Sequence, residues 1–174
     1  MMRWSWLLLV LLFLGGCGAG GMENLSAEPP PSEYYIDATR GFAIEHPQNW
    51  PPPARLDKPT RVVWSVPADN GEEPAILVIV TVLRPEQAVG GYDSLLKSFR
   101  REHPNFQITS RDDIDTEAAA AQRLTGHTPG RAYLLMLLTS DRGAFILSFS
   151  TSPKNFPDNQ GIFEDMVASF RILD

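Results

Sequence analysis

Two apolar runs, residues 131–139 and 144–151, stand side by side with the polar loop Asp141-Arg142-Gly143 between them. Runs of that length joined by so short a polar segment read as a β-hairpin, and a hairpin this apolar needs more sheet around it. Two further runs, residues 61–66 and 75–83, flank the turn signal Asp69-Asn70-Gly71. The second holds Ile76, Leu77, Val78, Ile79, Val80 and Val82. A continuous β-branched run predicts a central strand covered on both faces.

The remaining elements fall around these. Residues 34–38 and 42–46 are short strands about a turn at Thr39-Arg40-Gly41, and Asn49-Trp50-Pro51-Pro52-Pro53 is irregular because three prolines remove three donors. Tyr92, Leu95, Leu96 and Phe99 recur at i, i+3, i+4 and i+7, the stripe of an amphipathic helix that Pro104 stops. Strand resumes at 106–110. The stretch 117–122 favours helix by its alanines, yet Thr125-Gly126 and Pro129-Gly130 follow so soon that strand is the expectation. Ile162, Phe163, Met166, Val167 and Phe170 mark a closing helix. Strands run in blocks separated by helices, so the fold class is α+β: a mainly antiparallel β-sheet with helices packed on it.

The beginning of the chain has a different character. After Met1-Met2-Arg3 come eleven residues, Trp4 to Leu14, of which only Ser5 is polar. As a helix they would extend roughly 16 Å, about half a hydrocarbon core. They form the apolar region of an export signal, residues 1–16. Leu14-Gly15-Gly16-Cys17 resembles the bacterial lipobox, although Gly15 is less usual there than Ala or Ser. The resemblance implies a cysteine alkylated with diacylglycerol, cleavage before Cys17, and a second acyl group such as palmitate on the new amine. Each buried CH₂ adds about 0.8 kcal/mol, so several chains anchor firmly. The competing readings are a plain secretory signal with an incidental cysteine, or an uncleaved anchor. Cys17 is the one cysteine of 174 residues, which favours lipidation and leaves the rest of the chain without disulfides or thiolate metal sites. In Gram-negative bacteria Gly18, rather than Asp, after the cysteine resembles an outer-membrane sorting signal, which would put the protein on the periplasmic face.

Residues 17–33 read as the lipidated cysteine and a Gly/Pro-rich linker, with Pro29, Pro30 and Pro31 consecutive. Sixteen flexible residues reach on the order of 20–25 Å. Residues 34–174 suffice for one domain with its own core. Loss of Arg3 with the signal takes the net charge from −6 to −7. An acidic chain has no global attraction for nucleic acid. The cluster Lys97, Arg100 and Arg101 reads as a solvated helix end complementing the dipole.

The opening, Tyr-Tyr-Ile-Asp…Gly-Phe-Ala-Ile-Glu-His-Pro-Gln-Asn-Trp from Tyr34, and the end, Ala-Phe-Ile-Leu-Ser-Phe-Ser-Thr-Ser-Pro followed by Phe163, Met166, Ser169, Phe170 and Arg171, resemble the PsbP-like family. The resemblance implies an α/β/α sandwich from about Tyr34 to Leu173 and a hairpin strand over 117–127. Its members include photosystem extrinsic subunits, a nuclear Ran-binding protein and envelope lipoproteins of the DcrB type. It implies a non-enzymatic domain that binds or supports an envelope protein partner; a small-ligand or ion carrier, or an enzyme with an unrecognised site, are the alternatives. No site residues carry over.

Motifs for chemistry are few. Gly16-Cys17-Gly18-Ala19-Gly20-Gly21 spells G-x-G-x-x-G, but the Pro-rich residues that follow cannot open the helix a dinucleotide site requires. His46, His103 and His127 are far apart and read as surface or loop histidines rather than zinc ligands. No G-x-S-x-G is present. Asp113-x-Asp115-x-Glu117 sets oxygens at alternate positions as calcium loops do, and these three are the metal candidates. Ala118 and Leu124 stand where such a loop needs Gly and Glu, so a polar β-turn around Asp112 to Glu117 is the favoured reading. Trp64 is expected in the core, while Trp50 is open between core and groove.

Overall fold

The alternation along residues 133–138 explains the centre of the molecule. Tyr133, Leu135 and Leu137 leave one face of a strand, Leu134, Met136 and Leu138 the other, and all six are buried. This strand, β8 (Arg131–Ser140), pairs with β9 (Gly143–Thr151) across the two-residue turn Asp141-Arg142, Ser140 lying opposite Gly143. The computed structural model describes residues 31–57, 60–68 and 74–173. The export signal, Cys17, nearly all of the linker and the Asp69-Asn70-Gly71 turn lie outside them.

The remaining strands are β1 (Ser32–Asp37), β2 (Phe42–Pro47), β3 (Ala54–Asp57), β4 (Thr60–Pro67), β5 (Pro74–Leu83), β6 (Gln107–Asp115), β7 (Ala120–Thr128) and β10 (Arg171–Ile172); the helices are α1 (Gly91–Glu102) and α2 (Phe156–Ser169). Seven strands form one antiparallel sheet in the order β3-β4-β5-β9-β8-β7-β6, and β1-β2-β10 form a small second sheet. Leu95, Leu96 and Phe99 of α1 pack on one face of the large sheet against Leu124, Leu135 and Ile146. The other face is covered by α2 and the small sheet together, through Phe163, Met166, Phe42 and Ile44 on Trp64, Val78, Leu134 and Phe149. The expected α+β sandwich is present, its second outer layer shared between a helix and three strands.

The sequence expectations differ from the structure at five places. Ser32 and Glu33, counted with the linker, are the first residues of β1. β3 and β10 are additional strands, four and two residues long, too short to show a periodicity in the sequence. β5 is not covered on both faces: Ile76, Val78 and Val80 are buried, whereas Leu77, Ile79 and Thr81 are only partly so. Helix α1 packs over β8 and leaves that wing of the sheet open, so the strands buried on both faces are β8 and β9. β6 continues to Asp115, which places Asp112, Asp113 and Asp115 in a strand rather than a turn. β7 begins at Ala120, leaving Glu117 in the connecting turn, where the Thr116 hydroxyl donates to the Ala119 carbonyl at 2.8 Å.

Two devices fix the outer layers. Gly126 of β7 lies under the Phe106 ring, and a Cβ there would stand 2.6 Å from that ring and 2.3 Å from the Gln107 carbonyl oxygen. Only glycine lets the chain leaving α1 settle this closely on the sheet. On the opposite side Arg40, in the β1–β2 turn, donates to Asp37 at 3.0 Å and to Asp57 at 3.0 Å. Its Nη2 also meets the Leu56 carbonyl oxygen. The small sheet is thereby tied to the edge of the large one.

Candidate functional site

Because β10 is only two residues long, it pairs with Phe42 and Ala43 alone and leaves the far half of β2 without a strand on the side away from β1. The last turn of α2 takes that place. The Glu45 amide donates to Ser169 Oγ at 2.9 Å, and Ser169 Oγ donates to the Met166 carbonyl at 2.8 Å. A side chain thus closes a backbone bond that a strand would have made, as buried amides require. Beside this junction opens a cleft of about 390 Å³ between β2 and the Ile162, Asp165, Met166, Ser169 side of α2. These four recur at i, i+3, i+4 and i+7, one helical face.

The cleft has an apolar floor, Pro47, Ile162 and Met166, and an acidic rim. Glu45 accepts a hydrogen bond from Ser32 Oγ at 3.0 Å. Neither Glu45 nor Asp165 forms an ion pair with a cation among the described residues. Ser32, at the start of β1, is part of the rim, so the cleft opens where the chain comes in from its N-terminal segment. Across α2 lies a second cleft of about 370 Å³ on Leu134 and Met136, edged by the pairs Arg123–Glu164 at 3.1 Å and Arg171–Glu117 at 2.9 Å. Arginines thus pair two carboxylates of that cleft, Glu164 and Glu117, whereas Glu45 and Asp165 of the first meet none among the described residues.

The structure separates the sequence candidates. Asp113 accepts from Gln122 Nε2 at 2.7 Å, and Asp115 lies opposite Ala120. Glu117 is drawn instead to Arg171, because the strand ends before it. Among the described residues no three His, Cys, Asp or Glu side chains gather as a metal set. His46 corrects an expectation: it is buried in β2 rather than on the surface, with Nδ1–H donating to the Pro47 carbonyl at 3.0 Å and Nε2 at 3.7 Å from Glu33. His103 closes α1, its ring in tilted contact with Phe99 and Tyr133; burial pushes its pKa below the ordinary value, opposed by Glu102 and reinforced by Arg61. His127 is exposed, but in β7 rather than a loop.

Trp64 is fully buried, as expected, and Trp50 is buried as well. The three prolines after Trp50 shape the chain without exposing it. Arg101 and Arg61 both line a groove of about 220 Å³ between α1 and the open β4–β5 wing, where Arg61 is paired with Glu102. Lys97 and Arg100 are exposed. No helix among the described residues is long and apolar enough to cross a membrane. The sequence assigns no site role to Glu45, Asp165 or Ser169; the helical spacing of Ile162, Asp165 and Ser169 is a visible signal, but nothing marks β2 as its counterpart.

No protein-family model matches the chain, and no curated protein matches it in sequence. Solved structures do. The solution structure of cyanobacterial PsbP (CyanoP) from Synechocystis sp. PCC 6803 superposes with a TM-score of 0.60 at 15% identity, over 91% of this chain and 98% of that one. The fold is PsbP-like. The Ran-binding protein Mog1p of Saccharomyces cerevisiae follows with a TM-score of 0.52 at 10% identity, over 83% of this chain and 97% of its own. A Pseudomonas aeruginosa protein of unknown function, described as a putative regulator, gives 0.51 at 14% identity, over 79% and 94%. At such identities the likeness is one of fold, and function must be argued from the PsbP-like domain's own surface.

Proposed function

We propose that this chain is a lipid-anchored bacterial envelope lipoprotein whose PsbP-like domain is a non-enzymatic binding or accessory module for an envelope protein partner. The observation that carries the reading is Leu14-Gly15-Gly16-Cys17, which sets the one cysteine of the chain at the position diacylglycerol transfer uses. The stretch from Gly18 to the first strand would hold the domain within on the order of 20–25 Å of the bilayer. In a Gram-negative host, Gly18 favours the periplasmic face of the outer membrane.

The cleft between β2 and α2 supports a binding role. Its rim carries Glu45 and Asp165, and its floor is Pro47, Ile162 and Met166. Unneutralised carboxylates above apolar surface suit a partner that offers a basic side chain on an apolar stem. The experiment has two arms. Metabolic labelling with a clickable palmitate analogue should mark the full-length chain and fail on Cys17→Ser; persisting label would refute the anchor. A photocrosslinking residue at Ile162 should give one discrete adduct in intact envelopes, lost on Asp165→Asn with Glu45→Gln. Labelled protein that yields no such adduct would refute the binding module while leaving the anchor intact.

A further inference from the structure

On the α1 face of the β6–β7 hairpin a hollow of about 430 Å³ is lined by Tyr92, Asp113, Asp115, Ala120 and Gln122, among others. Asp113 and Asp115 are two apart on a strand, so both carboxylates leave the same face. Gln122 stands directly across from Asp113, and Ala120 across from Asp115, where its small side chain leaves room. Neither carboxylate has an ion-pair partner among the described residues, and Arg111, the cation two residues before Asp113, is engaged by Asp93 at 3.2 Å.

Gln122 makes this more than a pair of acidic residues. It is only 4% exposed. Its Nε2 is committed to Asp113, yet its Oε1 is buried without any hydrogen-bond partner. An acceptor taken out of water with no donor bears its full desolvation cost. Turning the amide over would not cure this, since Asp113 would then face an oxygen. The group that satisfies a buried amide oxygen beside two carboxylates is a hard cation.

We propose that Asp113, Asp115 and the side-chain carbonyl of Gln122 form a calcium site. The donors are all oxygen, and they come from two adjacent strands. Calcium accepts irregular sets of six to eight oxygens completed by water, whereas magnesium demands near-ideal octahedral geometry. Two carboxylates and an amide fit the weak class of extracellular modules, with Kd on the order of 10⁻⁴ to 10⁻³ M. Glu117 takes no part, being held by Arg171. Since β6 is the edge strand of the large sheet, the ion would clasp that edge to β7 beside the turn that joins them.

The test uses the full-length chain in detergent micelles, titrated with calcium chloride and separately with magnesium chloride by calorimetry and thermal unfolding. Calcium should bind one to one and raise Tm, and magnesium should bind at least tenfold more weakly. Asp115→Asn removes an exposed, unpaired carboxylate, so its Tm in chelator should match the parent while calcium affinity falls at least tenfold. Gln122→Glu supplies a third carboxylate and should tighten calcium about tenfold. Absence of calcium binding up to about 10 mM, unchanged affinity in Asp115→Asn, or no tightening in Gln122→Glu would each overturn the site.

Discussion

Arg40 Nη1 lies 3.0 Å from Asp37 Oδ2, and Asp37 is only 1% exposed. Burial alone would raise the Asp37 pKa, but the Arg40 guanidinium, the Arg40 amide and the Tyr35 hydroxyl all favour the anion and hold it below the ordinary value. The unfolded carboxylate titrates near 3.9, about the model-peptide value. Below that pH the unfolded chain binds the proton first, so the contribution is complete above roughly pH 4 and is lost as pH falls through the lower folded pKa. Urea unfolding from pH 6 to pH 3 should show this loss, and Asp37→Asn should lack it. Leaving Arg40 with the exposed Asp57 as its one carboxylate should cost Asp37→Asn about 3 kcal/mol at neutral pH.

Gly126 and Gly161 should respond to alanine with opposite signs. A Cβ at Gly126 would enter the space of Phe106 and the Gln107 carbonyl, and such overpacking costs about 1–3 kcal/mol. Gly161 sits inside α2 with nothing within 4 Å of the added atom. There alanine should stabilise by roughly 0.5–1 kcal/mol through helix propensity. Denaturant midpoints of the two variants give the comparison, and a stabilised Gly126→Ala would contradict the close packing.

His103 supplies a second pH dependence. Its folded pKa is depressed by burial, with Glu102 opposing and Arg61 reinforcing. The neutral ring therefore contributes fully above the unfolded value near 6.5 (about the model-peptide figure), and the contribution is lost as pH falls through the folded pKa. In NMR its imidazole should titrate below that value. His103→Gln should remove the corresponding part of the stability profile between about pH 7 and pH 5.

The Ser169 bridge predicts a local effect. Ser169→Ala leaves the Glu45 amide without its acceptor beside α2, at a cost of about 1–3 kcal/mol. Hydrogen exchange at the Glu45 amide should accelerate more than exchange at Leu135 in the sheet centre. Equal acceleration at both would point to global destabilisation and away from a local bridge.

Some of this was legible residue by residue. The β8–β9 hairpin, the α1 stripe from Tyr92 to Phe99 and the burial of Trp64 follow from apolar spacing, which local geometry translates directly into buried faces. The site was less so. Asp113 and Asp115 stood out as oxygens at alternate positions, yet Gln122 became their companion only through the β6–β7 register, with a shift between Ile108 and Ser110. His46 looked like a loop histidine because Pro47 follows it, but the small sheet carries that position beneath the surface.

By itself the sequence determined the α+β class, the antiparallel strand blocks and the lipobox-like motif at Cys17, all set by neighbours a few residues apart. The tertiary structure alone decided which face of the sheet each helix covers, and so why β5 stays half open while β9 is enclosed. It also decided that a two-residue β10 leaves Glu45 to Ser169, 124 positions along the chain. Contacts between residues so distant depend on packing that no local pattern encodes, and the clefts that follow from them become visible only when the chain is folded.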